Sequence, residues 1–286
     1  MAANDQDIQK ILASFNLADE EYLALDETEF RARFRERIHH TLEIQVYANA
    51  YRGGKPLGDK QADTVKRLVA LWEKRGLSRE LPEYGYAQKL LGFAGARAAG
   101  EPVDLSPFAP RPLGDTEREA FFTIVKERRS VREFTSRRVP DALIDRILEA
   151  GLWAAHSCNL QSIRYLVVRE EVSPGLFRGS DVPGGPVHLV ILQDERVYRA
   201  NPLNPVRNRL LDAGAAAQNI ALAAHAIGLE GVWLTFNDEI AGRLRKHYRI
   251  DGHISLVTYV DVGYGDQTPC PIPRLPVDEA VLGRDR

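Results

Sequence analysis

From Phe30 an apolar residue returns at every fourth position, through Phe34, Ile38, Leu42 and Val46. With Arg and Glu on the remaining faces, that spacing predicts a long amphipathic helix. The stretch "YRGGKPLG" at 51–58 stops it, because paired glycines and a proline do not continue a helix. A second helix is predicted over about 59–75, with Val65, Leu68, Val69 and Trp72 on one side and Gly76 as its C-cap. A weaker pattern covers 84–98. Then "GEPVDLSPFAPRPLG" at 100–114 holds four prolines, which suits an extended connector with no regular element. The reading divides the chain into a helical N-terminal extension at 1–99, a Pro-rich connector at 100–114 and a larger domain at 115–286.

Past the connector, helical and strand periods alternate. Thr116 and Glu119 have capping-box spacing and open a helix carrying Phe121, Phe122 and Val125. A helix starting near Pro140, a residue tolerated in a first turn, buries Leu143, Ile144, Ile147, Leu148 and Leu152. Strands are predicted at 163–169, 186–192, 231–235 and 254–261, and helices at 206–227 and 238–248. This is a mixed α/β layout. The helix at 206–227 contains eight alanines and ends at Gly228. Small side chains on nearly every face suit a helix buried in its own domain, and equally one packed on its twin across a dimer axis.

Composition narrows the function classes. A formal net charge of −2 gives no electrostatic reason for a nucleic-acid or anionic-membrane partner. No apolar run is long enough to span a bilayer, and "MAANDQDIQK" lacks the features of a signal peptide. Two cysteines, Cys158 and Cys270, make no disulfide framework. A reducing cytoplasm is the expectation.

Candidate chemistry is sparse. "KERRSVREF" at 126–134 brings Arg128, Arg129 and Arg132 together around Ser130. Such a run is either a solvated face or an anion site, since guanidinium forks match phosphate oxygens. No Gly-rich nucleotide loop, HExxH metal pair or G-x-S-x-G elbow occurs, and the seven histidines are scattered. "SCNLQ" at 157–161 is a small polar knot between a helix and a strand. Nothing near Cys158 in sequence marks it as an activated thiolate.

Taken in order, "RRSVREF", "SCNLQ", "DAGAAAQNIALAAHAIGLEGVW" and "DVGYGDQTPCPIPRLPVDEAV" resemble the nitroreductase family of FMN-dependent oxidoreductases. The resemblance runs from about residue 120 to the C-terminus. It implies an α+β three-layer sandwich with a central mixed or antiparallel sheet, preceded here by an all-helical extension. It also implies a homodimer with FMN at the subunit interface, and ping-pong hydride transfer from NAD(P)H (NADH or NADPH) to a small organic acceptor. By the same resemblance, Arg128, Ser130 and Arg274 hold the phosphate end, with Arg129 beside them, and Arg132 meets the N1 edge of the ring. Ser157, Cys158, Asn159 and Gln161 contact ring and ribityl chain from the partner subunit. Trp233, Leu234, Thr235 and Phe236 line the N5 side, so Arg132, Thr235 and Phe236 are the residues nearest the chemistry. A cation at the N1 edge stabilises the negative charge that reduction places there, and Arg132 keeps its proton throughout. No metal is implied.

Three positions depart from the family pattern. Ile272 stands where many members have a second basic residue, Thr235-Phe236 replaces a Gly or Gly-Gly near N5, and Ser162-Ile163 replaces Pro-Trp. The alternative readings are a specialised biosynthetic FMN dehydrogenase or oxygen-using flavoenzyme independent of NAD(P)H, and a non-catalytic flavin-binding relative.

Overall fold

A computed structural model describes residues 15–52, 59–182 and 184–285. The N-terminal helices are α1 (Asp19–Ala24), α2 (Glu27–Arg37), α3 (Ile44–Arg52), α4 (Asp59–Lys74) and α5 (Pro82–Ala98). The expected apolar stripe is their core: Phe30, Phe34, Ile38, Leu42 and Val46 are all at most 2% exposed and pack with Leu68, Trp72 and Leu90. The long helix is not uniform, however. A π-helical stretch, Ile38–Glu43, separates α2 from α3. Apolar spacing over six residues does not distinguish wide turns from α turns, so the sequence carries no sign of it. The predicted stop at 53–58 lies outside the described residues. Gly76, at φ +68°, follows α4 as expected.

The polar faces of α2 are buried as well, with Glu29, Arg33, Arg35 and Glu36 at most 8% exposed. The reason is tertiary. A 3₁₀ segment, Glu195–Ala200, packs along α2, and Arg199 pairs with Glu29 at 3.0 Å. Asn201 donates to Glu36 at 3.0 Å. Buried charges are tolerated there because each is paired.

The connector is exposed apart from intermediate burial at Val103 and Leu105, and contains one 3₁₀ turn, Ser106–Phe108, where no regular element was expected. α6 (Asp115–Glu127) begins one residue earlier than the predicted cap. Glu117, not Glu119, accepts from the Gly114 backbone N–H at 2.9 Å. Its Phe121, Phe122 and Val125 are 55%, 52% and 42% exposed, so this apolar face is left uncovered by the described residues. α7 (Asp141–Leu152) buries Ile144 and Ile147 but leaves Leu152, its last residue, 55% exposed, against expectation.

Four strands form an antiparallel sheet in the order β1-β2-β4-β3: β1 (Ile163–Arg169), β2 (Val187–Asp194), β3 (Glu230–Leu234) and β4 (Ile254–Gly263). β2 is buried along its whole length, which is why it reads as a continuous apolar run. α7 and α8 (Val206–Ala226) cover one face through Ile144, Ile147, Ala213, Ala216, Ala217 and Ile220. α9 (Asp238–Tyr248) covers the other through Ile240 and Leu244, with Phe177 and Tyr259. The result is a three-layer α+β sandwich with helices on both faces. Most of the alanines of α8 are used against the sheet of their own chain, while Leu210 and Leu211 on its free side are 66% and 64% exposed.

Candidate functional site

The segment after α6 is held by β3. Ser130 forms a parallel bridge with Gly231, and the Val131 N–H donates to the Gly231 carbonyl at 3.2 Å. Glycine is required at 231, because a Cβ there would lie 2.5 Å from the Asp261 carbonyl oxygen. This tether puts Arg128 and Arg129 half-buried, and Arg132 exposed, along the edge of β3. Arg274 arrives from the C-terminal segment. Burial lowers the pKa of Arg128, and the nearby guanidiniums of Arg274 and Arg129 lower it further. Among the described residues, none of Arg128, Arg129, Arg132 and Arg274 has a carboxylate partner. Arg129 donates only to backbone carbonyls of Lys126 and Arg128, and Arg274 only to that of Pro273. Glu230, which lies 3.1 Å from His225, offsets the charge on Arg128 only in part, and like charges gathered in excess attract an anion. Of the two readings of "KERRSVREF", the anion site fits this geometry.

The 157–161 knot is a strained turn. Cys158, Asn159 and Gln161 have φ of 54°, 51° and 56°. Each left-handed non-glycine residue costs about 1 kcal/mol or more, so the surroundings have to hold them. Ser157 does so from one side, its backbone N–H and hydroxyl both donating to Asp212 Oδ1 at 3.0 Å. From the other side Arg35 on α2 donates to the Leu160 carbonyl at 2.9 Å. Gln161 Nε2 donates to Asn159 Oδ1 at 3.0 Å, and both amides lie at the surface of the turn.

Cys158 accepts a hydrogen bond from Asn201 at 3.4 Å. Burial raises its pKa, reinforced by Glu36 and Asp212. Little thiolate therefore exists at neutral pH, and thiol chemistry is disfavoured there. We expect Cys158 to react with a disulfide reagent several-fold more slowly than a free thiol at pH 8, and at the free-thiol rate in guanidinium chloride. Fast modification of the native protein at Cys158, located by peptide mapping, would contradict this.

Trp233, Leu234 and Thr235, at the end of β3, line a cavity of 490 Å³ together with Leu210, Gly214 and Thr258. Trp233 donates to Thr258 Oγ1 at 2.6 Å, and Thr258 donates to the Leu234 carbonyl at 2.5 Å. Phe236 is half-buried, its ring stacked on Tyr259 at 5.8 Å.

These groups do not all meet within one chain. The 157–161 turn is anchored at Asp212, near the start of α8, whereas the Arg128–Arg132 segment is anchored at Gly231, beyond its end. At 1.5 Å per residue the two anchors are roughly 20 Å apart along the helix.

Sequence reasoning missed several residues. Asp212 sits unremarked in an alanine-rich run. Arg31, Arg35 and Arg164 are dispersed and only the fold collects them. His188 and Asp261 lie opposite one another on β2 and β4, with Nδ1 and Oδ1 2.5 Å apart. Burial pushes the Asp261 carboxyl upward. One histidine among scattered ones carried no signal.

The fold and the strand edge define a class before any relative is considered: an α+β sandwich with a cluster of arginines at the rim of its sheet. The model of the nitroreductase family matches residues 125–180 and 174–264. A Methanothermobacter thermautotrophicus protein provisionally named NADH dehydrogenase/NAD(P)H nitroreductase is 30% identical over 156 residues, which cover 51% of this chain and 77% of that protein. The NADPH-flavin oxidoreductase of Vibrio harveyi is 28% identical over 167 residues, covering 54% and 69%. A Desulfovibrio desulfuricans protein, provisionally named a nitroreductase and solved with FMN, superposes with a TM-score of 0.50 at 30% identity, over 58% of this chain and 97% of its own. The chain belongs to the nitroreductase family. The family match begins at residue 125, after the N-terminal helices.

Proposed function

We propose that the protein is an FMN-dependent oxidoreductase that passes hydride from NAD(P)H to a small organic acceptor, donor and acceptor visiting one site in turn. One observation carries the reading: Arg274 reaches the electrostatic neighbourhood of Arg128 and Arg129, where Glu230 offsets the charge only in part and no ion pair forms among the described residues. That donor set fits a flavin phosphate. Arg128, Arg129, Ser130 and Arg274 would hold it. Arg132 would keep a fixed positive charge at the ring edge. Ser157, Cys158, Asn159 and Gln161 would contact ring and ribityl chain, and the 233–236 segment would flank the reacting side, with Thr235 and Phe236 nearest. When bound, FMN supplies the hydride-transferring ring, and the protein supplies binding, orientation and electrostatics.

The reading includes a homodimer. Leu210 and Leu211 on the free side of α8, Phe121 and Phe122 on α6, and Trp153 at 82% exposure supply an unpartnered apolar surface. A twofold arrangement would also bring one chain's 157–161 turn toward the other's arginines across the roughly 20 Å that separates them in a single chain. The domain assignment proposed with it is a helical unit at 1–99, a connector at 100–114 and an FMN-binding domain at 115–286. Two free thiols suit a reducing compartment such as the cytoplasm.

The purified protein is expected to be yellow, to elute as a dimer, and to bleach on anaerobic mixing with NADH or NADPH. A protein that does not bind added FMN overturns the proposal. A second reading keeps FMN but replaces the nicotinamide donor. The packing of α2 against the 157–161 turn favours it, since such packing restricts what approaches there. Colour that persists with both nicotinamides is its expected result.

A further inference from the structure

A second group of arginines lies where the N-terminal helices meet the 157–161 turn. Thr28, Arg31 and Arg35 from α2, Gln161 from the turn and Arg164 from β1 line a cavity of 300 Å³. Its charge is unbalanced. Arg31 and Arg35 share a single carboxylate oxygen of Glu83, at 2.7 and 3.3 Å. Arg164 donates to the backbone carbonyls of Gln161 and Ile163, at 3.0 and 2.8 Å, and has no ion pair among the described residues. Asp194, the acid whose field acts on Arg164, is already paired with Arg196 at 2.6 Å. Arg31 also reaches the exposed Glu27 at 3.3 Å, so three guanidiniums face two carboxylates and one positive charge stays in excess.

Keeping that excess out of water is costly. Arg35 is 8% exposed, its Nε is buried with no partner, and burial together with neighbouring arginines lowers its pKa to about 10. Arg164 is lowered in the same direction, first by burial. A solvated charged face would show neither effect. The walls are polar, so an apolar ring gains nothing here, whereas an oxyanion would meet guanidinium forks, the Thr28 hydroxyl and the Gln161 amide.

We propose that this cavity is an oxyanion site, taking a phosphate or carboxylate group carried by the molecule that reacts beside the 157–161 turn. Gln161 belongs to both places: it is a wall of the cavity and a member of the turn assigned to FMN. The substrate class inferred is therefore an acidic organic molecule rather than a neutral aromatic one, an inference that rests on the flavin reading. The anionic group belongs either to the acceptor or to the nicotinamide donor. The N-terminal helices, which lie outside the family match, supply Thr28, Arg31 and Arg35, so they act as a specificity element.

The test is titration of the FMN-loaded protein with inorganic phosphate and with succinate, followed by calorimetry and thermal shift. Saturable binding of at least one probe is expected, weakened about tenfold or more in Arg164→Ala, with FMN content unchanged. Arg164→Lys, which keeps the charge but loses the fork, should fall between the two. Steady-state rates then separate the sources. A KM for NADPH that rises in Arg164→Ala while that for NADH does not assigns the group to the donor. Unchanged donor constants, with weaker competition by the probe against an acidic acceptor, assign it to the acceptor. No saturable binding by the wild-type protein, or equal binding by Arg164→Ala, overturns the proposal. If the protein takes up no FMN, the same titration in an Arg274→Ala background still reads this cavity alone, so failure of the flavin reading and failure of the oxyanion site remain distinct.

Discussion

Replacing Arg128 and Arg274 together by alanine is expected to weaken FMN binding by about a thousandfold. Each charge-assisted hydrogen bond to a phosphate contributes about 1.5–3 kcal/mol, or roughly 10- to 100-fold in affinity. In the flavin-free protein Arg128 sits in the unfavourable field of Arg274 and Arg129, only partly offset by Glu230. Removing them should therefore leave the melting temperature of the flavin-free protein unchanged or slightly higher. The rise in melting temperature that FMN produces in the wild type should disappear, since a ligand stabilises only by its affinity for the folded state. Fluorescence titration and paired melts with and without FMN check both parts. The salt dependence of binding should also flatten, because fewer charges are neutralised. Wild-type affinity in the double variant would mean that the cluster is not the phosphate end.

Trp72→Ala is expected to cost about 3–5 kcal/mol of stability, the range for truncating a large buried aromatic residue. Trp72 is fully buried, with Phe34 at 4.7 Å and Phe30 and Tyr84 at 6.1 Å. Its indole N–H also donates to the Ser78 carbonyl at 3.2 Å. Surrounding side chains relax only partially into a cavity of that kind. The loss should travel, because α2 carries both Phe34, which touches Trp72, and Arg35, which holds the Leu160 carbonyl. Loosening the helical unit is thus expected to release the strained turn and raise the reactivity of Cys158, which packs with Ala32 and Leu160. Guanidinium denaturation followed by circular dichroism measures the first effect, and thiol labelling measures the second. A stability loss below about 1 kcal/mol, the ordinary effect of a point mutation, would contradict this account of the core.

Much of the fold could be read from periodicity. The strands at 163–169 and the helix at 238–248 appear where spacing put them, and Gly228 ends α8 at φ +79°. Such features depend on neighbours a few residues away, which a single sequence displays. What periodicity got wrong or left open has one common cause. The exposure of Leu152 and of the α6 phenylalanines, and the burial of Arg35 and Glu36, depend on what packs against each element, and a helical period does not say what stands opposite its faces.

The site divides along the same line. The run at 126–134 by itself left a solvated face and an anion site open, and it was the family resemblance that nominated Arg128, Ser130, Arg132 and Arg274. The sequence also marked 157–161 as a polar knot. Its left-handed backbone was invisible, since that strain is held by Asp212, 55 residues away, and by Arg35, 125 residues from Leu160. The same long-range packing assembles Arg31, Arg35 and Arg164 around one cavity. Hydrogen bonds within a turn are encoded in the residues that make them. A pocket between two packed units exists only once both have folded and met.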